Sequence, residues 1–240
     1  MGNVKGMRFG SVLVRLFIAS VFLFMIFALA VNFRLITLPP QYDPFTPPDL
    51  REGPSWFRSL KLKNLDHNPQ ACLQSIRQTG IANTLLPDSG RGPDCFLEDT
   101  IMLEHMSVAK IKPEQTRCNI AARLYLWERH VVQPAAQKYF GQGVKEITHF
   151  GSYSCRTIAR SHNMSEHSTA NAFDISGMRL ANGKLVSVLS SWKAGDRDAE
   201  FLREVRNGLC DYFNLTLSPD YNTDHADHFH VDMGWVQGCH

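Results

Sequence analysis

Two short stretches of the sequence concentrate side chains that bind metal ions and transfer protons. The first spans residues 165–174 and contains His167 and Asp174, while the second spans residues 224–232 and contains three histidines. A catalytic zinc ion takes three nitrogen or oxygen ligands from the protein and keeps a fourth position open for water. Because both stretches offer ligands of these types and the sequence has no CxxC pair, we predict a metal site built from histidine and carboxylate ligands.

The second stretch alternates polar and apolar residues, as a half-buried strand does. Strand periodicity places His228, His230 and Asp232 on one face, with Phe229 and Val231 on the other. One face then carries a site while the other packs against a core. We expect the loop in the first stretch to curl back, so that the two stretches meet on adjacent strands.

The elements that would position these stretches follow from periodicity and from turn signals. A helix is predicted over residues 119–131, because apolar residues recur there at helical spacing. Pro134 interrupts this helix, and a short continuation ends at Gly141.

The second half of the chain contains signals for both strands and helices. Residues 144–150 suit a strand, and Asn182-Gly183 favours a tight hairpin turn between strands over residues 172–180 and 184–189. Apolar residues repeat every four positions over residues 198–213, as in a helix. Together with the alternating stretch described above, this order predicts an α+β fold with a mainly antiparallel sheet and flanking helices.

An apolar run near the N-terminus is long enough to cross a membrane. Residues 16–33 contain no ionisable side chain, and a run of this length just spans the hydrocarbon core as a helix. Lys5, Arg8 and Arg15 precede the run, whereas Arg34 alone lies close behind it. The positive-inside rule therefore leaves the N-terminus in the cytoplasm and places the domain on the extracytoplasmic (periplasmic) side of the membrane.

A cleaved signal peptide is the alternative interpretation of this run. Ala28-Leu29-Ala30 has the small-x-small form of a cleavage site, although the apolar run continues past it. We divide the chain into an anchor or signal peptide (residues 1–37), a proline-rich linker (residues 38–58) and one domain (residues 59–240). The prolines favour an extended, semi-rigid spacer, with an ordered arm packed on the domain as the alternative.

The six cysteines all lie in the exported part of the chain. An even number of cysteines in an oxidising compartment predicts a framework of three disulfides. Six buried free thiols are the alternative, and the sequence does not choose among the fifteen pairings that six cysteines allow.

Nucleic acid is not an expected partner of this chain. The formal net charge is only +2, and no run of lysine or arginine residues forms a basic stripe. The composition, 44% hydrophobic and 20% charged, is instead that of a globular protein with a substantial core.

Several short motifs resemble those of a known family. They are Cys118-Asn119-Ile120-Ala121, Gln133-Pro134-Ala135-Ala136, Gly151-Ser152-Tyr153-Ser154-Cys155-Arg156, Ser165-Glu166-His167, Asp220-Tyr221-Asn222 and His228-Phe229-His230. Over about residues 60–240 the chain resembles the extensin-like C-terminal domain family. Its HxxxxxxD and HxH patterns are similar to those of zinc D-Ala-D-Ala carboxypeptidases and murein endopeptidases, whose fold the hedgehog metal-binding domain shares.

This resemblance implies a zinc peptidase fold and a role for individual residues. His167, Asp174 and His230 would be the ligands of a Zn²⁺ ion. His228 would lie beside the metal without binding it. We also expect Asp232, on the same face as His230, to orient that ligand.

Two residues are candidates for the proton acceptor in a site of this kind. The carboxypeptidases resembled here have an acidic residue where Asp227 stands, and the endopeptidases have a histidine where His225 stands. Strict alternation would turn Asp227 away from His228, so Asp227 serves as base only if the strand begins after it or bulges. Arg156 matches an arginine that contacts the carbonyl or carboxylate group of the substrate.

The resemblance implies a zinc-dependent peptidase that cleaves peptides of bacterial peptidoglycan, as a carboxypeptidase or an endopeptidase. One alternative is a non-catalytic zinc module that binds peptidoglycan or a protein, because one fold hosts several functions. Another is a structural tether in which the histidines only hydrogen-bond one another. No particular protein partner is indicated by the sequence.

Overall fold

The chain begins with a long helix, α1 (Lys5–Asn32), which carries the apolar run. The structure is a computed structural model that describes residues 5–53, 57–82, 84–90 and 92–240. Within α1, the segment Gly10–Asn32 is long and apolar enough to cross a membrane, with a mean hydropathy of 2.7. A helix of this kind has the composition of an anchor or of a signal sequence, the two alternatives expected.

The proline-rich segment that follows α1 lies against the domain. Lys61 donates a hydrogen bond from Nζ to the carbonyl oxygen of Pro40 at 2.6 Å, and Leu50 is fully buried in the main hydrophobic core. These contacts show an ordered arm, the alternative to a free spacer. Pro54 and the two residues after it lie outside the described part of the chain.

The domain is built on a mixed eight-stranded sheet and a separate strand pair. The pair consists of β1 (Ser89–Gly90) and β2 (Phe96–Leu97). The strands of the large sheet are β3 (Thr100–His105), β4 (Lys110–Arg117), β5 (Val144–Gly151), β6 (Ala172–Leu180), β7 (Leu185–Ser187), β8 (Leu215–Leu217), β9 (Phe229–Asp232) and β10 (Gly238–Cys239).

The strand order in the large sheet is β10-β8-β9-β6-β5-β4-β3, with β7 paired to β6. The pairs β10–β8 and β4–β5 are parallel, and the other five described pairs are antiparallel. The predicted α+β class is confirmed, and the sheet is mixed. The expected hairpin of β6 and β7 also forms, with Gly183 at a φ of 93° in its turn.

Six helices flank the sheet in the described domain. They are α2 (Arg58–His67), α3 (Pro69–Arg77), α4 (Cys118–Trp127), α5 (Gln133–Phe140), α6 (Val188–Ser191) and α7 (Arg197–Leu209). A π-helical turn, Glu128–Val132, joins α4 to α5 just before Pro134, where the sequence predicted an interruption. Trp127 of α4 is fully buried and donates from Nε1 to the carbonyl oxygen of Val205 in α7 at 2.8 Å.

The two central strands present one face to the core and the other to the predicted site. Phe173 and Ile175 of β6 and Phe229 and Val231 of β9 are fully buried in the main core. The residues that alternate with them include Asp174 and His230, which the sequence predicts to be metal ligands. The alternation predicted for the last stretch is therefore confirmed.

Three disulfides cross-link the domain, as the sequence predicted. The pairs are Cys72–Cys118, Cys95–Cys155 and Cys210–Cys239. The first links α3 to α4, the second links the β1–β2 pair to the loop after β5, and the third links the end of α7 to β10. No free cysteine remains in the described chain.

Candidate metal centre

Three side chains from separate parts of the chain converge on one point. Nε2 of His167 lies 3.1 Å from Oδ1 of Asp174 and 3.1 Å from Nδ1 of His230. Nδ1 of His230 lies 3.0 Å from the same Asp174 oxygen. These three residues form a group that could hold a metal ion. We call them the three-ligand cluster.

Strand pairing and a short turn bring the three residues together. Asp174 on β6 lies directly opposite His230 on β9 in the antiparallel register. His167 lies in a 3₁₀ turn, Glu166–Thr169, that immediately precedes β6 and is capped by the Ser165 side chain. The chain therefore curls back onto β6, as the sequence led us to expect.

A hydrogen bond on the far side of each imidazole ring decides which nitrogen faces the cluster. Nδ1 of His167 lies 2.8 Å from the carbonyl oxygen of Ser152, so it carries a proton and donates it. Nε2 of His230 lies 2.9 Å from Oδ2 of Asp232 and does the same. The remaining nitrogen of each ring is directed at the cluster, an arrangement typical of metal-binding histidines.

The carbonyl group of Ser152 is itself held by a buried network. The Ser152 side chain is fully buried and donates to the carbonyl oxygen of Ala172 at 2.6 Å. Its backbone N–H donates to Oε1 of Glu114, on β4, at 2.8 Å. The preceding Gly151 has a φ of 112°, a conformation that L-residues with a side chain rarely adopt. The turn after β5 therefore depends on this glycine.

The donor set fits a zinc ion. Two ligands of a tetrahedral zinc ion with bonds of about 2.0–2.1 Å lie about 3.3 Å apart, close to the 3.0–3.1 Å separations in the cluster. Two ring nitrogens and a carboxylate oxygen at these distances also need a positive charge between them, either a metal ion or a proton on one ring, because their lone pairs would otherwise repel. His167 and His230 as the nitrogen ligands and Asp174 as the oxygen ligand would leave one position open.

The pKa values of Asp174 and His230 also indicate that the cluster favours a positive charge. Burial alone would raise the pKa of Asp174, but hydrogen bonds with His167 and His230 outweigh it and hold that pKa well below its usual value. Burial would lower the pKa of His230, but hydrogen bonds with Asp174 and Asp232 raise that pKa to about 9. Without metal, His230 is therefore protonated at neutral pH. This proton supplies the positive charge that a metal ion would otherwise supply.

His228 and Asp227 form a pair at the edge of the three-ligand cluster. Nδ1 of His228 lies 2.8 Å from Oδ1 of Asp227, and Nε2 lies 3.5 Å from Oδ1 of Asp174. Since β9 begins at Phe229, Asp227 precedes the strand. The alternation of side chains within the strand therefore does not turn Asp227 away from His228. Its carboxylate contacts His228, so the group that faces the cluster is the imidazole of His228.

His225 lies next to both His228 and His230. Its ring centroid lies 5.2 Å from that of His228 and 5.8 Å from that of His230. Burial, followed by repulsion from these two histidines, lowers the pKa of His225 to about 4. The neutral ring donates from Nδ1 to the side-chain oxygen of Asn222, 2.7 Å away. Its other nitrogen is therefore a proton acceptor.

Arg156 lies in the loop between β5 and the His167 turn, and its side chain is exposed. Its carbonyl oxygen accepts a hydrogen bond from the backbone of Ser165, which ties the loop to the cap of the His167 turn. Within the described ranges, no hydrogen bond or ion pair joins the Arg156 guanidinium to the cluster. A neighbour in this loop, Arg160, forms an ion pair with Asp224, beside His225.

Sequence reasoning overlooked two residues that position the site. Ser152 belongs to a motif that was recognised, but it acts through its main-chain carbonyl, which no pattern of side chains reveals. Glu114 lies on β4, far along the chain from the histidines, and accepts from the backbone N–H groups of Ser152 and Tyr153. The glycine before Ser152 was the available signal of an unusual backbone turn.

The family model for the extensin-like protein C-terminus matches residues 70–240. This range is well over half of the chain and includes every residue of the site described above. Searches of curated proteins and of solved structures found no match.

Proposed function

The chain belongs to the extensin-like protein C-terminus family, and from this starting point we propose that it is a zinc-dependent peptidase. Its substrates would be the peptides of bacterial peptidoglycan, and its fold would be that of the zinc peptidases it resembles. The observation that carries the proposal is the three-ligand cluster, in which each histidine is oriented by a hydrogen bond on its outer nitrogen.

A bound zinc ion would polarise the scissile carbonyl group and lower the pKa of a water molecule. The chain supplies a proton carrier beside this position. His228 has Nδ1 engaged with Asp227 and Nε2 directed toward Asp174. Nε2 can accept a proton from water and return it to the leaving amine, while Asp227 stabilises the imidazolium that forms.

Two other residues would complete the substrate site. Neutral His225 offers a second acceptor nitrogen next to His228. The exposed Arg156 would bind the carbonyl or carboxylate group of the substrate, because a guanidinium can donate to two oxygens at once. Since the loop of Arg156 leads directly to the His167 turn, substrate binding there would occur at the edge of the cluster.

The test combines zinc content with hydrolysis on the same protein samples. Full-length wild type in detergent should contain about one zinc ion per chain and release new amino groups from purified peptidoglycan. His228→Ala and Asp227→Asn should keep zinc but lose about a hundred- to ten-thousandfold in rate, which is typical for loss of a general base. His162→Ala removes an exposed histidine and serves as the control that should change neither property.

His225→Ala distinguishes the two kinds of peptidase. In an endopeptidase-like site it should lose as much activity as His228→Ala, whereas in a carboxypeptidase-like site it should lose little. Arg156→Ala should lose activity without losing zinc. If zinc-loaded wild type releases nothing yet co-sediments with peptidoglycan sacculi, the peptidase proposal fails and a zinc-containing binding module replaces it.

A further inference from the structure

A large aromatic side chain is exposed beside His228, the proposed proton carrier. Phe150, near the end of β5, is 61% exposed, and its ring centroid lies 5.6 Å from that of His228, with the ring planes at 74°. Edge-to-face contacts of this kind are favourable for aromatic rings. The phenyl ring nevertheless leaves most of its apolar surface open to solvent next to the three-ligand cluster.

Phe150 is the unpaired residue of a β-bulge in β5. His149 is opposite Ile175 and Gly151 is opposite Asp174, so two steps along β5 match one step along β6 and Phe150 is the additional residue. Bulges redirect a side chain and occur next to active sites more often than elsewhere in sheets.

The neighbour of Phe150 faces the other side of the sheet. The His149 ring packs on the fully buried Phe173 at a centroid distance of 5.0 Å. Phe150 is instead exposed on the side of His228. Phe150 therefore presents its phenyl ring to solvent at the site and does not contribute to the hydrophobic core.

An open phenyl face binds aliphatic carbon, because contact removes apolar surface of both partners from water. His228 must reach the atoms of the scissile peptide bond, and Phe150 contacts His228. A group that touches Phe150 is therefore close to that bond. We propose that Phe150 is a specificity-determining residue that contacts the aliphatic side chain of the substrate residue adjoining the scissile bond. This inference rests on the proposed function and names the substrate feature that the same site selects.

The test measures the contribution of one methyl group to binding, with and without the phenyl ring. The probes are two non-cleavable phosphinate dipeptide analogues that differ in one side chain next to the phosphinate group, which is a methyl group in one analogue and a hydrogen atom in the other. Zinc-loaded wild type should bind the methyl analogue about tenfold more tightly, the lower end of the range for a carbon group in an apolar pocket. Phe150→Ala should reduce this preference to about twofold or less, and Phe150→Leu should retain most of it.

Leu185→Ala is the matched control, because it removes a partly exposed apolar side chain from β7 in the same sheet. It should leave the preference unchanged. An equal loss of affinity for both analogues in Phe150→Ala would overturn the inference, since it would show a general effect on the site. Absence of a methyl preference in wild type would also overturn it. If wild type shows the preference but hydrolyses no peptide, the proposed peptidase function fails, and what remains of the inference is that Phe150 contacts an aliphatic group of a bound ligand.

Discussion

At the scale of single residues, the site depends on the atoms that face away from the cluster as much as on those that face it. Both histidine rings are held in a defined orientation, one by a main-chain carbonyl and the other by the Asp232 carboxylate. This orientation is established before any metal binds. Changes outside the three-ligand cluster should therefore weaken zinc binding by measurable amounts.

Asp232→Asn should weaken zinc binding without abolishing it. The substitution removes the negative charge that makes His230 a better ligand, and loss of such a supporting partner typically costs about ten- to a hundredfold in metal affinity. Competition with a chelating dye measures the change. His230→Ala should lose nearly all zinc, whereas Asp211→Ala, which removes an exposed carboxylate, should have no effect. Wild-type affinity in Asp232→Asn would show that this hydrogen bond does not support the ligand.

Zinc binding should release about one proton at neutral pH. Because the pKa of His230 in the metal-free protein is raised to about 9, the ring is charged at pH 7 and must lose a proton to become a ligand. Asp174 contributes no proton, since its pKa is held well below its usual value. Apparent zinc affinity should therefore rise with pH until about 9 and then level off.

Calorimetry in buffers of different ionisation enthalpy counts the protons released during zinc binding. His225→Ala is a suitable comparison, because the pKa of His225 is lowered to about 4 and that ring carries no proton to release at pH 7. A proton count near zero for wild type would contradict the protonation assigned to His230.

At the scale of elements, the bulged end of β5 connects the sheet to His167, the predicted ligand. Gly151 allows the turn that brings the Ser152 carbonyl to His167. A Cβ atom on Gly151 would lie 3.1 Å from Oε1 of Glu114, the oxygen that holds the backbone N–H of Ser152. A side chain at this position would therefore disturb the backbone conformation and this hydrogen bond together.

Gly151→Ala should consequently reduce both stability and zinc affinity. A residue forced into this backbone region typically costs about 1–3 kcal/mol, measured as a loss in the free energy of unfolding. Gly183→Ala is the matched control, since Gly183 also has a positive φ of 93° but no atom lies within 4 Å of the added Cβ. It should lose stability and keep its zinc affinity. Equal zinc affinities in the two variants would refute the link between the turn and the ligand.

Local patterns predicted those elements in which polar and apolar residues alternate or apolar residues repeat regularly. The faces of β9 and the β6–β7 hairpin were expected from periodicity and from Asn182-Gly183, and both form. The helix expected over residues 198–213 forms as α7 but ends at Leu209. The last apolar residue of that repeat, Phe213, remains buried beyond the helix, so its side chain extended the pattern without extending the helix.

Other features depend on contacts between distant parts of the chain and left no local signal. The parallel pairing of β4 with β5 joins segments separated by α4 and α5, and neither segment contains a sequence pattern that predicts this pairing. The hydrogen bond that Nδ1 of His228 donates to Asp227 depends on where β9 begins, a boundary that alternation does not define. The assignment of zinc ligands remains a prediction, supported by the convergence of His167, Asp174 and His230.

At the scale of the whole molecule, the disulfides agree with an exported domain. They close loops with sequence separations of 46, 60 and 29 residues, and bonds of this kind persist in oxidising compartments. The second bond holds Cys155, which lies next to Arg156 in the loop that follows Ser152. Oxidation therefore bears on the site as well as on the stability of the domain.

The full-length chain should remain in the membrane with its domain outside the cytoplasm. Gly10–Asn32 is long and apolar enough to span the bilayer, and the positive-inside rule predicts that Lys5, Arg8 and Arg15 keep its N-terminal end on the cytoplasmic side. In spheroplasts of an expressing bacterium, added protease should degrade the domain and spare a tag placed before residue 5.

Alkaline extraction should leave the protein in the membrane pellet, and its mass should include residues 1–30. A mature chain that begins at Val31 would establish a cleaved signal peptide, and a domain protected from protease until the membrane is dissolved would contradict the orientation.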